Sequence, residues 1–582
     1  MYRYLPMALL FTFLLTGCSS DKAIPTNSAA DPTKPETASA PDWFRDVTAE
    51  SGIDFTYKNG EEANHFAIIE SLGGGVALFD YDNDGLLDIF FPGGGFYEGK
   101  IVRGHPCRLY KNLGGMKFKD VTAEVGLTGN WQYSHGAAAF DYDNDGYIDL
   151  LVTGYNRLIL WHNEPDGKGS RRFVEVTKKA GLNDALWSTS AAWGDLDGDG
   201  YADIYVAHYG DWGFDTNNPE CTYDGKTRDV CQPRKFKQLP HTIYRNNRDG
   251  TFTDITAKLK LRTDGKGIGA ILFDANGDGK PDIYVANDTD ENFLYINRTK
   301  PGGEITLEEL GMNASVARDD RATPNGSMGL DIADYDRGGR PSIFVTNYEQ
   351  ELPALYKNRC EGDRITFNYA TTSAGIGVIG AIYVSWGTGF ADFDHDGWED
   401  LFIANGHAIR FPVAKFGRQQ RPVLLKNSSG KFTPITDRGG KYFADKHNAR
   451  GAALGDLNND GKTDIVFSHL NEPVVVVQNV SPGGNHWLGI ELIGAKHRDI
   501  VGAKITVESA NGTQHRFVKG GASYGSTNDP RHIIGLGATS TVGKVSVEWP
   551  SGAKQVWTDI PVDGYSRLTE GEAKATQRKP AQ

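Results

Sequence analysis

Asp141-Tyr142-Asp143-Asn144-Asp145-Gly146-Tyr147-Ile148-Asp149 places four carboxylates at positions 1, 3, 5 and 9 of a nine-residue run, with glycine at position 6. Alternate residues of a tight loop can turn their side chains to one centre, and a hard cation such as Ca2+ takes about six to eight oxygen ligands. The glycine allows the sharp turn, the position-7 carbonyl can add an oxygen, and the last Asp can bind through both of its own. Four carboxylates this close repel one another unless a cation sits between them. Equivalent runs begin at Asp80, Asp195, Asp274, Asp334, Asp392 and Asp456, so the motif occurs seven times at intervals of 54 to 79 residues.

Six of the runs keep the ligand pattern. The expected ligands of the first are Asp80, Asp82, Asp84, Leu86 and Asp88, and of the second Asp141, Asp143, Asp145, Tyr147 and Asp149. The third offers Asp195, Asp197, Asp199, Tyr201 and Asp203, and the fourth Asp274, Asn276, Asp278, Lys280 and Asp282. The sixth offers Asp392, Asp394, Asp396, Trp398 and Asp400, and the seventh Asp456, Asn458, Asp460, Lys462 and Asp464. The position-7 residues in these sets contribute main-chain carbonyls. The fifth run, from Asp334, lacks acids at positions 5 and 9, and there Arg337 or Arg340 is expected to replace the charge of the cation. An EF-hand would need flanking helices and a Glu at position 12, and neither is present. The cofactor expectation is about six Ca2+ ions held in loops that join strands.

A β-prone run follows each loop, as in Leu150-Leu151-Val152 and Ile204-Tyr205-Val206. A further strand, Leu109-Tyr110-Lys111-Asn112, recurs as Ile243-Tyr244-Arg245-Asn246, and Phe118-Lys119-Asp120-Val121-Thr122 recurs as Phe252-Thr253-Asp254-Ile255-Thr256. Four short strands per unit suit a propeller blade, and seven units suit a closed ring. Trp43-Phe44-Arg45-Asp46-Val47-Thr48 matches the fourth strand but precedes the first loop, while the last unit ends at 474–479 without one. The N-terminal strand is therefore predicted to complete blade seven and remove the open edge. Small residues such as Gly73, Gly75, Ser134 and Gly136 precede each loop at fixed offsets, which predicts crowded innermost strands there.

The fold class read from these patterns is all-β: a seven-bladed propeller over 43–483 and a small β-sandwich over 484–570, with a disordered tail over 571–582. The sandwich strands are expected at 486–493, 503–508, 514–518, 533–536, 545–549 and 555–557, with Asn511-Gly512 as a hairpin turn. Ahead of the propeller, Arg3 and the apolar run 5–15 read as a signal peptide over 1–17. Leu15-Thr16-Gly17-Cys18 resembles a bacterial lipobox, which makes Cys18 the expected lipidation site. Residues 18–42 read as a polar tether, and Ser19 favours the outer membrane of a Gram-negative cell.

Gly accounts for 71 of 582 residues, in keeping with a turn-rich β chain. The net charge is −14, and six divalent cations would offset about 12 of it, so the acidity belongs mostly to the loops. No basic stripe points to nucleic acid. Cys221 and Cys231 flank a polar insertion in the longest repeat interval and are expected to pair in an oxidising compartment, whereas Cys107 and Cys360 are not paired by the sequence.

The repeats resemble the FG-GAP/VCBS propellers, the group that includes the integrin α-subunit head. Asn485-His486-Trp487-Leu488, Ser523-Tyr524-Gly525-Ser526 and Val547-Glu548-Trp549-Pro550-Ser551-Gly552 resemble the ASPIC/UnbV domain, with Gly525 standing where that family has Leu. The whole resembles the cartilage acidic protein-like family, which implies calcium binding and an extracytoplasmic location but no established reaction. Two functional classes follow. One is a membrane-tethered scaffold that binds protein or glycan; the other is a propeller hydrolase or lyase acting on extracellular carbohydrate at the channel mouth. Glu70, His135, Trp187, Lys266, Trp386 and Arg450 stand at or near the starts of the inner strands and are the candidate ligand contacts. A polar plug around ordered water is the other use of such residues. No GxSxG or HExxH signature accompanies them.

Overall fold

The computed structural model describes residues 41–300, 302–413 and 417–577. The expected signal peptide, Cys18 and nearly all of the tether lie outside the described residues. Between 44 and 479 the chain forms seven four-stranded antiparallel sheets. Blade one holds Ala77–Phe79, Asp88–Phe91, Arg108–Asn112 and Phe118–Asp120, in that order from the axis outward. The innermost strands of blades two to six are Ser134–Phe140, Ser188–Gly194, Gly267–Phe273, Leu330–Ala333 and Ser385–Ala391.

Blade seven closes the ring as the sequence predicts. Its strands Ala449–Gly455, Asp464–His469 and Val475–Asn479 are completed by Phe44–Asp46, with Phe44 opposite Asn479 and Asp46 opposite Val477. Phe44 is buried, packing edge-on to Phe393 at 5.1 Å and against Phe443 at 5.5 Å. The latch is therefore held by apolar burial as well as by the ladder.

The C-terminal chain forms two further four-stranded sheets. One runs His532–Gly537, His486–Ile493, Tyr565–Thr569 and Thr576–Gln577; the other runs Gly512–Phe517, Lys504–Ser509, Val542–Glu548 and Lys554–Trp557. Leu488, Ile490, Ile505, Val507, Val545, Val547 and Trp549 are buried between them, as expected of a sandwich. Tyr565–Thr569 pairs in parallel with His486–Ile493, and Thr576–Gln577 extends that sheet. The tail expected to be disordered from 571 therefore carries a paired strand at Thr576–Gln577, and its remaining residues lie outside the described ones.

The sandwich rests on the face that bears the Asp loops. Asp499 Oδ2 accepts the Asp195 N–H at 3.0 Å, Asn511 Nδ2 donates to the Asp396 carbonyl at 3.1 Å, and Gly537 N–H donates to the His395 carbonyl at 2.9 Å. From this base the segment 520–529 enters the propeller axis as a finger. Gly520 exchanges both main-chain bonds with Leu272 of blade four, and Ser523 does the same with Leu330 of blade five. Thr527 bonds to Val76 and Leu78 of blade one, and the Gly525 carbonyl accepts the Ala137 N–H of blade two. Ser523 Oγ accepts the Thr388 N–H of blade six, and Asn528 Oδ1 accepts the Leu454 N–H of blade seven.

This insertion supplies the second reason for small residues near the axis. A Cβ on Gly75 would stand 1.9 Å from the Gly525 carbonyl oxygen, and one on Gly520 would stand 1.7 Å from that of Trp193. Strand crowding alone is an incomplete explanation.

Candidate functional site

The Asp loops share one conformation. The position-6 glycines have φ between 78° and 98°, and position 4 is also left-handed, as at Asn83, Asn144, His395 and Asn459. That backbone favours Gly, Asn and Asp, and Gly or Asn stands at every such position except Arg337 and His395. Position 1 ties the turn together: Asp141 Oδ1 accepts the Asp145 N–H at 3.1 Å and Oδ2 the Gly146 N–H at 2.8 Å. Position 9 is fully buried. Asp149 accepts the Asn163 N–H on Oδ1 at 2.7 Å and the Tyr142 N–H on Oδ2 at 3.3 Å. Each oxygen still has a second lone pair for a cation.

In four loops the ligand atoms converge. Asp80, Asp82 and Asp88; Asp141, Asp143 and Asp149; Asp195, Asp197 and Asp199; and Asp392, Asp394 and Asp400 each bring carboxylate oxygens within 4.8 Å of one another. Loops four and seven carry amides at position 3, Asn276 and Asn458. Asp82 Oδ1, Asp199 Oδ2, Asp392 Oδ1 and Asp394 Oδ1 are buried without a hydrogen-bond partner. Orphaned carboxylate oxygens around one centre fit a hard cation. Basic side chains from the third strands pair with other oxygens of these loops, the Oδ2 atoms: Lys111 with Asp82 and Asp84, Lys426 with Asp394 and Asp396, and His162 with Asp143 at 3.1 Å. Burial pushes the carboxyls up, Asp141 and Asp195 to about 7, Asp392 to about 8, and Asp274 and Asp456 to about 6.

Blade five departs from the expected charge replacement. Asp336 pairs with Lys357, not with Arg337 or Arg340. Arg337 instead donates to the Gly397 carbonyl at 2.7 Å and to the Asn511 carbonyl at 2.7 Å, with its guanidinium 4.1 Å from the Trp398 ring centroid. Position 4 bridges in the same way elsewhere: Asn83 donates to Gly146, Asn144 to Gly200, and Asn459 to Gly85. Arg337 therefore does the bridging work of an asparagine, and its position in the loop explains why it faces away from Asp334.

Two sets of functional residues escaped the sequence reading. Each third strand carries an Asn at or near its end, and its Nδ2 reaches the preceding blade. Asn112 bonds the Leu457 carbonyl at 2.7 Å, Asn163 that of Tyr81, Asn246 that of Tyr142, and Asn479 that of Phe393, so the bonds run round the ring. The recurring Tyr-Lys-Asn run was visible, but its inter-blade reach was not. The other set is the finger. Its signal was the small residues Ser523, Gly525, Ser526 and Thr527 around Tyr524, complementary to small residues on the inner strands.

On the opposite face, none of the six candidate contacts is more than 2% exposed. Trp187 Nε1 donates to His135 Nε2 at 3.0 Å, so the His135 proton sits on Nδ1, 3.1 Å from the Gly73 carbonyl. Burial pulls the His135 pKa down to about 4 and keeps it neutral. Arg450 spends its donors on the carbonyls of Ser71, Ala449 and His407 and on Asn448 Oδ1. It stacks 4.1 Å from the Trp386 ring centroid, and Tyr524 at the fingertip meets Trp386 edge-on at 5.1 Å. Glu70 pairs with Arg410, and Lys266 with Asp290. His135, Lys266, Arg450 and Glu70 are thus internal struts, held by partners within the fold.

Trp187 and Trp386 each line an open cavity. The larger, of 1170 Å³, is a groove walled by Phe96, Trp131, Tyr155, Trp187, Trp212 and Phe214, with Gln132, Asn156 and Arg157 among the polar groups. The hairpin of Gly95–Glu98 and Ile101–Gly104 forms one wall and the blade-three insertion the other, with Lys100 reaching Asp215 at 2.7 Å. Cys221 and Cys231 are joined in that insertion as expected. Cys107 and Cys360 are both free and buried.

Seven blades, an Asp loop in each and a sandwich docked on the loops define an FG-GAP-repeat propeller that carries an ASPIC and UnbV domain, and the chain is a protein of that class. The FG-GAP-like repeat matches residues 80–152, 141–206, 240–285 and 392–467, leaving out the divergent loop at Asp334, and ASPIC and UnbV matches 494–575. The particular curated protein to which the chain is similar is cartilage acidic protein 1. The Xenopus tropicalis protein is 24% identical over 520 residues, covering 82% of this chain and 70% of that protein; the human protein is 24% identical, covering 72% and 69%. Among solved structures, an Agrocybe aegerita lectin described as recognising non-reducing terminal N-acetylglucosamine aligns at a TM-score of 0.38 and 16% identity, covering 69% of this chain and 87% of its own. A rhamnogalacturonan lyase aligns at 0.31 and 12%, covering 89% and 92%.

Proposed function

We propose that the protein is a calcium-loaded binding scaffold, anchored to the cell envelope through Cys18, that holds a glycan or protein ligand in the groove between the blade-one hairpin and the blade-three insertion. The carrying observation is the groove itself: seven aromatic side chains beside amide and guanidinium donors, opposite a face already covered by the sandwich. Flat apolar surface with a few placed polar groups is the make-up of a small-molecule or saccharide site. Six Ca2+ ions would be held by the Asp loops, where they supply charge neutralisation and keep the blades in register.

A glycan and protein array screen of the calcium-loaded chain is expected to return ligands whose affinity falls about tenfold or more in Tyr155→Ala with Arg157→Ala, by loss of packing and hydrogen bonds. Unchanged affinity in that variant would remove the groove from the reading. For the anchor, Cys18→Ala is expected to leave the membrane fraction or stay unprocessed. A processed variant that still sediments with membrane would place the anchor elsewhere.

A further inference from the structure

We infer that the occupant of the aromatic groove is an uncharged oligosaccharide, rather than an acidic glycan or a protein. This deepens the groove reading proposed above and rests on it. The cavity of 1170 Å³ exceeds the roughly 300–1,000 Å³ that holds a single small ligand, so it has room for several linked sugar rings.

Charge separates the ligand classes, and the groove has none to offer. Its lining holds three acidic side chains, Glu98, Asp211 and Asp215, and three basic ones, Lys100, Arg103 and Arg157. All six are engaged. Arg103 pairs with Glu98 at 2.9 Å, Lys100 with Asp215 at 2.7 Å, and Arg157 with Glu175 at 2.6 Å. Asp211 Oδ1 accepts the Lys237 N–H at 2.8 Å and Asn217 Nδ2 at 2.9 Å. A uronate or sulfate would have to displace a carboxylate from each cation that it approached, whereas an uncharged ligand leaves the pairs as they are. A folded protein needs a patch of about 800 Å² per partner, and this site is a concave slot between a hairpin and an insertion.

What remains is apolar surface and neutral hydrogen bonding. Phe96, Tyr155 and Phe214 are half-buried, so theirs are the rings that a ligand meets. Each is braced from behind: Phe96 lies 4.8 Å from the His105 ring, and Tyr155 and Phe214 lie 5.2 and 5.1 Å from that of Trp212. Rings already held in place lose little freedom on binding, and the C–H face of a pyranose packs on them without charge. An independent sign of a ligand comes from Gln132. This side chain lines the groove at 7% exposure, and its Nε2 donates to the Val152 carbonyl at 3.0 Å, while its Oε1 has no hydrogen-bond partner. A buried acceptor without a donor is unfavourable, and a sugar hydroxyl is a donor that brings no charge.

The test is a screen of the calcium-loaded full chain on an array of three arms, with affinities then measured by calorimetry. One arm carries neutral oligosaccharides of glucose, mannose, galactose and xylose; another carries oligogalacturonate and heparin fragments of matching length; the third carries proteins. Neutral oligosaccharides are expected to bind, and to weaken by about tenfold or more in Phe96→Ala with Phe214→Ala. Their affinity should change less than about twofold between about 50 and 500 mM NaCl, since no ion pair is screened. Phe214→Ala alone should weaken them about threefold and serves if the double variant misfolds. If the ligands weakened by these substitutions are acidic glycans or proteins, or lose affinity steeply with salt, the inference is overturned and the groove reading stands. If every ligand keeps full affinity in the folded variants, or nothing binds, both fall.

Discussion

In calcium-free buffer the melting temperature of the chain is expected to fall by about 10 °C or more relative to millimolar calcium. Each loop at a free calcium 100 times its dissociation constant adds about 2.7 kcal/mol, and six loops act on one ring. In a domain of this size each kcal/mol moves the transition by about a degree. The effect should also depend on pH, with a defined sign. Without a cation, burial raises the loop carboxyls, with Asp274 and Asp456 at about 6, Asp141 and Asp195 at about 7 and Asp392 at about 8. A raised carboxyl contributes stability that is present below its unfolded value and lost as pH rises through the folded one. The calcium-free protein should therefore lose stability between about pH 5 and 8, and the gap to the calcium-loaded protein should widen over that interval. Differential scanning calorimetry of dialysed protein across this range checks both statements. Coincident curves with and without calcium, after confirmed metal removal, would sink the calcium reading.

The second large effect is expected from unseating the finger. Gly75→Ala places a methyl carbon 1.9 Å from the Gly525 carbonyl oxygen, where the obstacle is main chain and cannot rotate aside. Loss of the finger strips acceptors from the buried N–H groups of Leu78, Ala137, Leu272 and Leu330. Each orphaned donor costs about 1–3 kcal/mol, so a fall of about 5–10 °C follows, together with new protease cleavage within 520–529. A Gly75→Ala chain with the parent melting curve and an uncut finger would show that the channel seat is not under this constraint.

What could be read from the sequence was what short-range chemistry writes into it. The Asp loops were legible because positive φ at position 6 places Gly beside the acids in every loop. The latch was legible because Phe44-Arg45-Asp46 repeats the fourth-strand pattern out of place. The sandwich strands were legible except Tyr565–Thr569, whose partner is parallel and distant, and Thr576–Gln577, which pairs with it. The burial of His135 and Arg450 was not legible, since it depends on loops such as 406–413 folding over the axis from other blades. Nor was the finger: hydrogen bonds from Thr527 to Val76 and from Ser523 to Leu330 join residues far apart in the chain, and no local period records them. Arg337 was misread because a cation beside acids suggests pairing, while its side chain follows the bridging direction set by its place in the turn.

The latch has a temporal consequence. Phe44 pairs with Asn479, and the finger that fills the axis lies later still, so the two devices that finish the ring sit near opposite ends of the described chain. A nascent or translocating chain that has delivered six blades has neither. It is an open stack with an unfilled bore, and Phe44–Asp46 stays an unpaired strand until blade seven is made. Closure is thus a late, long-range event in folding, of the slow class set by loop-closure entropy, and the half-made ring is the species most in need of protection from self-association.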